Sequence, residues 1–179
     1  MVDHADDRAL PPREGLWAPT LSAAEVVAVL GTGEYLWGSD DEWQRRRFEG
    51  MPGMVYTLQS DNCGTGRPAA PENVAYDMYG AELVFRQPRD ERDLASLQDA
   101  AEQEVFGAYR FDGLERLTEP ALDQWCASTD TLKAWLHHQL SATDPELAES
   151  AEDYLRYLES DDCTDYLLRL RSHLQSADG

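Results

Sequence analysis

The clearest structural signal in the sequence lies between Asp144 and Glu159, where the chain reads DPELAESAEDYLRYLE. Asp144 followed by Pro145 is a preferred pair for the N-cap and first turn of a helix, because the Asp side chain accepts a hydrogen bond from a free backbone N–H and proline needs no donor there. Apolar residues then recur at spacings of three and four, which places them on one helix face. They are Leu147, Ala151, Tyr154, Leu155 and Leu158. The stretch therefore predicts an amphipathic helix with one buried side.

The opposite side of this predicted helix carries carboxylates, and the acidic run continues beyond its end. Nine Asp and Glu residues fall between Asp144 and Asp165, where Arg156 is the one cation. We interpret the part from Asp161 onward as an acidic helix start, because it lacks the glycine turn and the distal Glu of a calcium loop. The whole run is either a solvated face or an interface that attracts a basic partner at long range. The predicted partner-binding residues are Glu146, Glu149, Glu152, Asp153, Glu159, Asp161, Asp162 and Asp165.

Helical spacing of apolar residues also dominates the rest of the second half. Asp93 is predicted to cap a helix with an apolar inward side. The residues of that side are Leu94, Leu97, Ala101, Val105 and Phe106. Two further helices are indicated around Leu122–Cys126 and Leu132–Leu140, and a final helix begins near Thr164. Because the connections are only a few residues long, the C-terminal half is predicted to be an antiparallel helical layer.

The first half contains short apolar runs that favour strands. Met54–Gln59 and Ala81–Arg86 are predicted strands, and Val74–Tyr79 is either a third strand or a turn. Ser60–Asn73 is rich in Gly, Pro and Asn and is predicted to be a loop. Both halves together predict an α+β fold, a small antiparallel sheet with a majority of helix.

Proline content, cysteine spacing and the charge of the first residues predict the domain organisation and the cellular compartment. Residues 1–20 contain three prolines and are predicted to be a flexible lead-in to a single acidic α+β domain over residues 21–179. Cys63, Cys126 and Cys163 are an odd and widely spaced set, which favours a reducing compartment and a cytoplasmic location. Residues 1–8 are acidic where a secretory signal is basic. With neither a CxxC nor an HExxH motif in the sequence, we expect no metal and no cofactor.

Composition limits the partners that this chain can bind. The 179 residues include 15 Lys and Arg against 35 Asp and Glu, so the formal net charge is −20. Phosphate backbones and anionic lipid repel such a polyanion, so we expect no direct nucleic-acid binding and no membrane binding. Arginine supplies 14 of the 15 cations, a bias that GC-rich codon usage or adaptation to high salt also produces. The oligomeric state stays open.

The loop Asp61-Asn62-Cys63-Gly64-Thr65-Gly66-Arg67 is the most chemically suggestive stretch. Glycines on both sides of Thr65 allow backbone N–H groups to converge on an anion beside the Cys63 thiol. A thiolate there could act as a nucleophile, with Asn62, Thr65 and Arg67 assisting and a histidine as base. The alternative is a glycine-rich connection between strands with an incidental cysteine.

Three smaller patterns complete the sequence evidence. Ser39 and Glu42 have the spacing of a capping box, which predicts the start of a short helix. Arg45–Arg47 is the one basic run, and we expect it to pair with the acidic half or to cover neighbouring aromatic side chains with its stems. Those aromatic neighbours are Trp37, Trp43 and Phe48. The predicted partly exposed helix residues include His137, His138 and His173.

Three function hypotheses remain. The leading one is a non-enzymatic, cytoplasmic protein that inhibits or regulates a basic partner through carboxylates of the helical half, a charge logic shared by immunity proteins, antitoxins and anti-defence proteins. The first alternative is a small thiol-dependent enzyme that uses Cys63 in its glycine-rich loop. The second is a salt-adapted protein whose ligand pocket the sequence does not reveal.

Overall fold

The structure is a computed structural model that describes residues 30–31 and 37–177. Over these residues the fold is α+β, with a majority of helix and two small antiparallel sheets. The fold class predicted from the sequence is therefore confirmed. The predicted lead-in over residues 1–20 lies outside the described residues. In the described ranges, no helix is both long enough and apolar enough to cross a membrane.

Eight helices and four short strands follow one another along the described residues. The helices are α1 (Asp40–Gln44), α2 (Gly66–Ala69), α3 (Glu91–Gln103), α4 (Gly113–Arg116), α5 (Glu119–Ala127), α6 (Thr129–Gln139), α7 (Pro145–Leu158) and α8 (Asp161–Ala177). The strands are β1 (Tyr56–Thr57), β2 (Val74–Tyr76), β3 (Glu82–Val84) and β4 (Tyr109–Arg110). Strand β1 pairs with β4, and β2 pairs with β3 in a hairpin, both antiparallel. Helices α5 to α8 form the antiparallel layer predicted for the C-terminal half.

Polar caps fix where α1 and α7 begin. Ser39 Oγ accepts a hydrogen bond from the Glu42 N–H at 3.2 Å, and the Glu42 carboxylate accepts one from the Ser39 N–H at 2.8 Å. The predicted capping box is therefore present at α1. Asp144 Oδ1 accepts from the N–H of Glu146 at 2.9 Å, and Pro145 is the first residue of α7. Both helix starts were readable from short-range sequence patterns.

Helices α3 and α8 begin earlier than predicted. Asp90, not Asp93, is the N-cap of α3, because its Oδ1 accepts from the Asp93 N–H at 2.9 Å. The Asp93 carboxylate instead pairs with Arg89, with 2.7 Å between Oδ2 and Nε. Helix α8 begins at Asp161 rather than near Thr164, so carboxylates make up part of its first turn.

The core lies where the apolar helix faces meet the strands. On α7, Ala151, Tyr154 and Leu155 are buried as the spacing predicts, whereas Leu147 near the start of the helix is half-buried. A fully buried leucine is worth about 1.5–3 kcal/mol relative to an exposed one, so these stripes orient the helices on the core. Helix α8 adds Tyr166, Leu170 and Leu174.

Helix α3 ends before the last two apolar residues that the spacing assigned to it. It stops at Gln103, and Glu104 leaves the helix with extended backbone angles. Val105 and Phe106 are therefore 76% and 70% exposed, and their predicted place in the core is wrong. The physical reason is the Glu104 carboxylate, which accepts hydrogen bonds from the N–H groups of Phe106 at 3.1 Å and Ala108 at 2.6 Å and closes a turn.

The predicted loop Ser60–Asn73 contains one turn of helix, α2, that the sequence did not indicate. Gly66 opens this turn directly against the Glu82 carboxylate, which a Cβ at that position would overlap. A non-local contact therefore selects the glycine there, rather than a left-handed backbone angle. Val74–Tyr79 proves to be strand β2 followed by the turn of the hairpin.

The basic run Arg45–Arg47 pairs within the first half of the chain. Arg47 lies 2.8 Å from the Asp77 carboxylate and Arg45 lies 2.9 Å from that of Asp41, so the expected pairing with the helical half is wrong. The expectation that the run covers aromatic surface is confirmed for its middle member. The Arg46 guanidinium lies 4.0 Å from the centre of the Trp43 ring, a cation–π contact.

Candidate interaction surface

Helix α7 presents carboxylates to solvent because its other side is held by α6 and strand β2. Ser150 Oγ accepts from the Tyr76 N–H at 3.1 Å, and Gln139 of α6 donates to the Tyr76 carbonyl at 2.7 Å. Since successive helix residues are about 100° apart, the side turned away from these contacts is fixed. It carries Glu146, Glu149, Glu152, Asp153 and, at the C-cap, Glu159.

Four of these five carboxylates remain accessible. Glu146 and Glu159 are exposed and form no ion pair within the described part of the chain. Glu149, 71% exposed, lies 3.7 Å from Arg67 Nη2, and Glu152, 67% exposed, lies 3.4 Å from Arg156 Nη2. The exposed Glu152–Arg156 pair contributes at most about 1 kcal/mol, so a partner's cation can replace it at little cost. Arg67 has Asp153 as its nearer carboxylate, which leaves Glu149 available to a partner.

Asp153 is engaged inside the molecule. Its carboxylate accepts from the Arg67 guanidinium and, at 2.8 Å, from Arg156 Nη1. The Arg67 side chain is only 9% exposed, and it also donates to the Val74 carbonyl at 3.2 Å. Removing one member of a buried ion pair typically costs about 3–5 kcal/mol, because it leaves the other charge without a partner. Asp153 therefore ties α7 to the loop that carries Arg67.

The acidic residues at the start of α8 extend the exposed carboxylate surface of α7 beyond the end of that helix. Glu159 and Asp161 are separated by Ser160 alone, and Asp161, Asp162 and Asp165 are all exposed. Asp162 is partly neutralised by an Arg86 nitrogen at 3.1 Å. We use the term acidic face for the exposed carboxylates of α7 and α8 that form no ion pair among the described residues or that stay at least 67% exposed beside their cation. The acidic face comprises Glu146, Glu149, Glu152, Glu159, Asp161 and Asp165.

The environment of Cys63 opposes the chemistry of a nucleophile. The thiol is exposed, and the negative charge of Asp61 raises the pKa of Cys63, with further contributions from Glu104 and Glu82. A protonated thiol is a poor nucleophile. Among the described residues, no hydrogen bond joins Cys63 to a histidine. His137 and His138 are exposed on the last turn of α6. His173 is half-buried on α8.

The residues predicted to assist Cys63 have other environments. Arg67 is held by Asp153 and Val74, as described above. Asn62 is exposed, and Thr65 Oγ1 is buried without a hydrogen-bond partner among the described residues. These side chains therefore form no hydrogen-bonded group with the Cys63 thiol.

Two buried carboxylates that the sequence patterns did not indicate, Glu82 and Glu104, lie beneath the loop. The Glu82 carboxylate accepts from the Gly66 N–H at 2.7 Å and from the Tyr109 hydroxyl at 2.6 Å, and burial raises the pKa of Glu82. Glu104 accepts from the Asp61 N–H at 3.0 Å. The one local signal was a lone acidic residue, Glu82, inside an apolar strand run. Glu104 bonds to the backbone of a residue 43 positions away, which no local pattern reveals.

Together these features define an acidic α+β protein with an exposed carboxylate surface on α7 and α8. No group of three or more His, Cys, Asp or Glu side chains suited to a metal ion occurs in the ranges that the structure describes. No protein-family model, curated protein or solved structure matches the chain. The surface itself is therefore the basis for a functional conclusion.

Proposed function

We propose that this protein is a binding module that inhibits or regulates a basic protein partner, and that the acidic face is the surface that the partner contacts. The observation that carries the proposal is the row of exposed glutamates along one side of α7. From Glu146 to Glu159 the helix rises about 20 Å, at about 1.5 Å per residue. Along that length, Arg67 and Arg156 are the only cations of the described residues that pair with these carboxylates.

Charge supports a protein partner over the other classes. A surface of one sign attracts an oppositely charged partner from a distance and raises the association rate by about 10–1,000-fold, an effect that salt weakens. The net charge of −20 repels phosphate backbones and anionic lipid, which argues against nucleic acid and membranes as direct partners. The negative electrostatic field of the chain therefore favours basic proteins as macromolecular partners.

The competing interpretation is that the carboxylates only hydrate the surface. A stopped-flow measurement with a fluorescein-labelled oligoarginine peptide separates the two. The test variant combines Glu149→Gln, Glu152→Gln and Glu159→Gln, and Asp153 is left in place because it neutralises buried Arg67. The matched control removes the same charge from exposed carboxylates of α3 and α4. It combines Glu91→Gln, Asp99→Asn and Glu115→Gln.

We expect the α7 variant to associate several-fold more slowly than the control variant, with a shallower dependence of the rate on salt. The reason is that steering depends on where charge is concentrated as well as on its total. If the two variants slow association equally, total charge explains the rate and the acidic face has no special role.

The two alternative hypotheses gain no specific support. The raised pKa of Cys63 speaks against a thiol nucleophile. Two open cavities of about 220 and 320 Å³ lie on either side of Glu72, and Arg86 and Arg89 line them. Both of these arginines already pair with carboxylates, Asp162 and Asp93, and the remaining cation that lines the larger cavity, Arg92, is exposed.

A further inference from the structure

The most exposed large apolar side chains of the described residues lie in two turns. Tyr79 is 75% exposed in the turn of the β2–β3 hairpin, where Met78 is 40% exposed. Val105 and Phe106 are 76% and 70% exposed in the turn after α3. Apolar side chains that are exposed together, rather than singly, are typical of binding surfaces.

Both turns lie against the same short segment, Asp61–Asn62. Asp61 Oδ2 accepts from the Val105 N–H at 3.3 Å. A Cβ added to Gly80, the residue after Tyr79, would lie 3.3 Å from the Asn62 Cβ. Each turn therefore contacts this segment, which lies between the two turns. We use the term apolar tip for Met78, Tyr79, Val105 and Phe106.

Buried carboxylates hold the apolar tip in one conformation. Glu104, 4% exposed, accepts from the N–H groups of Asp61 at 3.0 Å and Phe106 at 3.1 Å. Asp77, also 4% exposed, accepts from the Tyr79 N–H at 2.8 Å. Because these turns are ordered before binding, they lose less conformational entropy when a partner binds than mobile loops would.

Buried contacts link the apolar tip to the acidic face. The Tyr76 hydroxyl accepts from the Arg67 N–H at 3.2 Å, and Tyr76 leads directly into the hairpin turn that carries Met78 and Tyr79. Arg67 in turn lies 3.7 Å from Glu149 of the acidic face. The segment between Asp61 and Arg67 thus joins the two surfaces.

We infer that the apolar tip is the anchor of the partner-binding surface, and that it takes a partner segment with exposed aromatic or aliphatic side chains flanked by arginine or lysine. The inference rests on the proposed function, because the charge of the adjoining acidic face selects the basic flanks. The same charge disfavours an anionic membrane as the occupant. It also disfavours a second copy of this chain, which carries the same charge of −20.

Two synthetic peptides of equal length and equal arginine content test the inference. In one, tryptophan and leucine stand between the arginines, and in the other serine replaces them. We expect the wild-type protein to bind the apolar peptide about tenfold more tightly, since a few buried apolar anchors carry most of an interface's energy. Fluorescence anisotropy gives the dissociation constants.

Two protein variants locate the effect. The double variant Tyr79→Ser, Phe106→Ser should bind both peptides with nearly equal dissociation constants. Leu168→Ser is the matched control, because Leu168 is 61% exposed on α8 and lies outside the apolar tip. This control should keep the tenfold preference. Should the double variant unfold, Val105→Ser alone provides the second test, with a partial loss of preference expected.

The outcomes separate this inference from the proposed function. If the wild-type protein binds both peptides equally, in a salt-dependent manner, the apolar tip is not an anchor although the acidic face still binds. If neither peptide binds, the proposed function fails as well. Sedimentation of the protein alone should show a monomer, whereas a dimer that Tyr79→Ser, Phe106→Ser abolishes would assign the apolar tip to a second copy and overturn the inference.

Discussion

Glu104 fixes the conformation of the turn that exposes Val105 and Phe106. Its carboxylate accepts three backbone hydrogen bonds, from Asp61, Phe106 and Ala108. Glu104→Gln replaces one acceptor oxygen with a donor that faces another donor, so we expect the free energy of unfolding to fall by about 1–3 kcal/mol. Urea denaturation measures it, with Glu102→Gln as an exposed control on α3 that should change stability by less than about 0.5 kcal/mol. Equal stability of the two variants would contradict this role of Glu104.

Cys63 combines an accessible thiol with a raised pKa, chiefly because of the charge of Asp61. We therefore expect iodoacetamide to alkylate Cys63 at pH 7 more slowly than it alkylates free glutathione, with a rate that still increases above pH 9. Mass spectrometry of the peptide that contains Cys63 measures this rate in the native chain. Asp61→Asn should accelerate the reaction. Rapid alkylation of the wild-type thiol at pH 7 would restore the thiol-enzyme hypothesis.

Burial of Glu82 makes stability depend on pH in a defined direction. Burial raises the pKa of Glu82 above its ordinary value of 4.5, so the folded state binds the proton more tightly than the unfolded state does. As pH rises from 4.5, ionisation in the unfolded state favours unfolding, and the contribution of Glu82 to stability falls until the folded-state pKa is passed. The free energy of unfolding of the wild type minus that of Glu82→Gln should therefore decrease between pH 4.5 and pH 7. A constant difference across that range would contradict a raised pKa.

At the scale of elements, α1 depends on a carboxylate with the opposite shift. Hydrogen bonds from Arg110, and then from the Ser39 N–H, lower the pKa of Glu42 to about 2. A lowered pKa contributes stability above the unfolded value of 4.5, and that stability is lost as pH falls from 4.5 toward 2. Glu42→Gln keeps a capping side chain but loses the charge that attracts Arg110.

The Glu42→Gln variant should be less stable than the wild type at pH 7 and equally stable near pH 2. Thermal unfolding at several pH values measures this difference. Asp41→Asn is the control in the same helix, because the Asp41 pair with Arg45 is exposed and contributes little. If Glu42→Gln and the wild type differ equally at pH 7 and pH 2, the charge of Glu42 does not anchor α1.

Elements with local signals were predictable, and those that depend on distant partners were not. The capping box at Ser39 and the Asp144–Pro145 start needed only neighbouring residues, and both are present. Spacing also placed the carboxylates of α7 opposite its buried side. The Glu104 carboxylate that closes the turn after α3 also bonds to Asp61, 43 positions away, and the spacing of apolar residues does not reveal that Val105 is exposed. The acidic face was therefore readable from the sequence, and the apolar tip was not.

At the scale of the whole molecule, the charge of −20 predicts a limited response of stability to salt. Screening relieves repulsion among the carboxylates, and the Debye length is already about 8 Å at 0.15 M ionic strength. We expect the urea midpoint to rise up to roughly that concentration and then to change little toward about 1 M sodium chloride. A steep rise that continues through molar salt would favour adaptation to salt as the origin of the acidity.

The central claim is that the carboxylates of α7 bind a partner and do more than hydrate the surface. Quantitative mass spectrometry of proteins that co-purify with the tagged chain from its native cells tests this most directly. Three baits are compared: the wild type, the variant Glu149→Gln, Glu152→Gln, Glu159→Gln, and the variant Glu91→Gln, Asp99→Asn, Glu115→Gln. We expect a basic protein to co-purify with the wild type and with the second variant and to be lost from the first. Recovery of the same proteins with all three baits would contradict the claim.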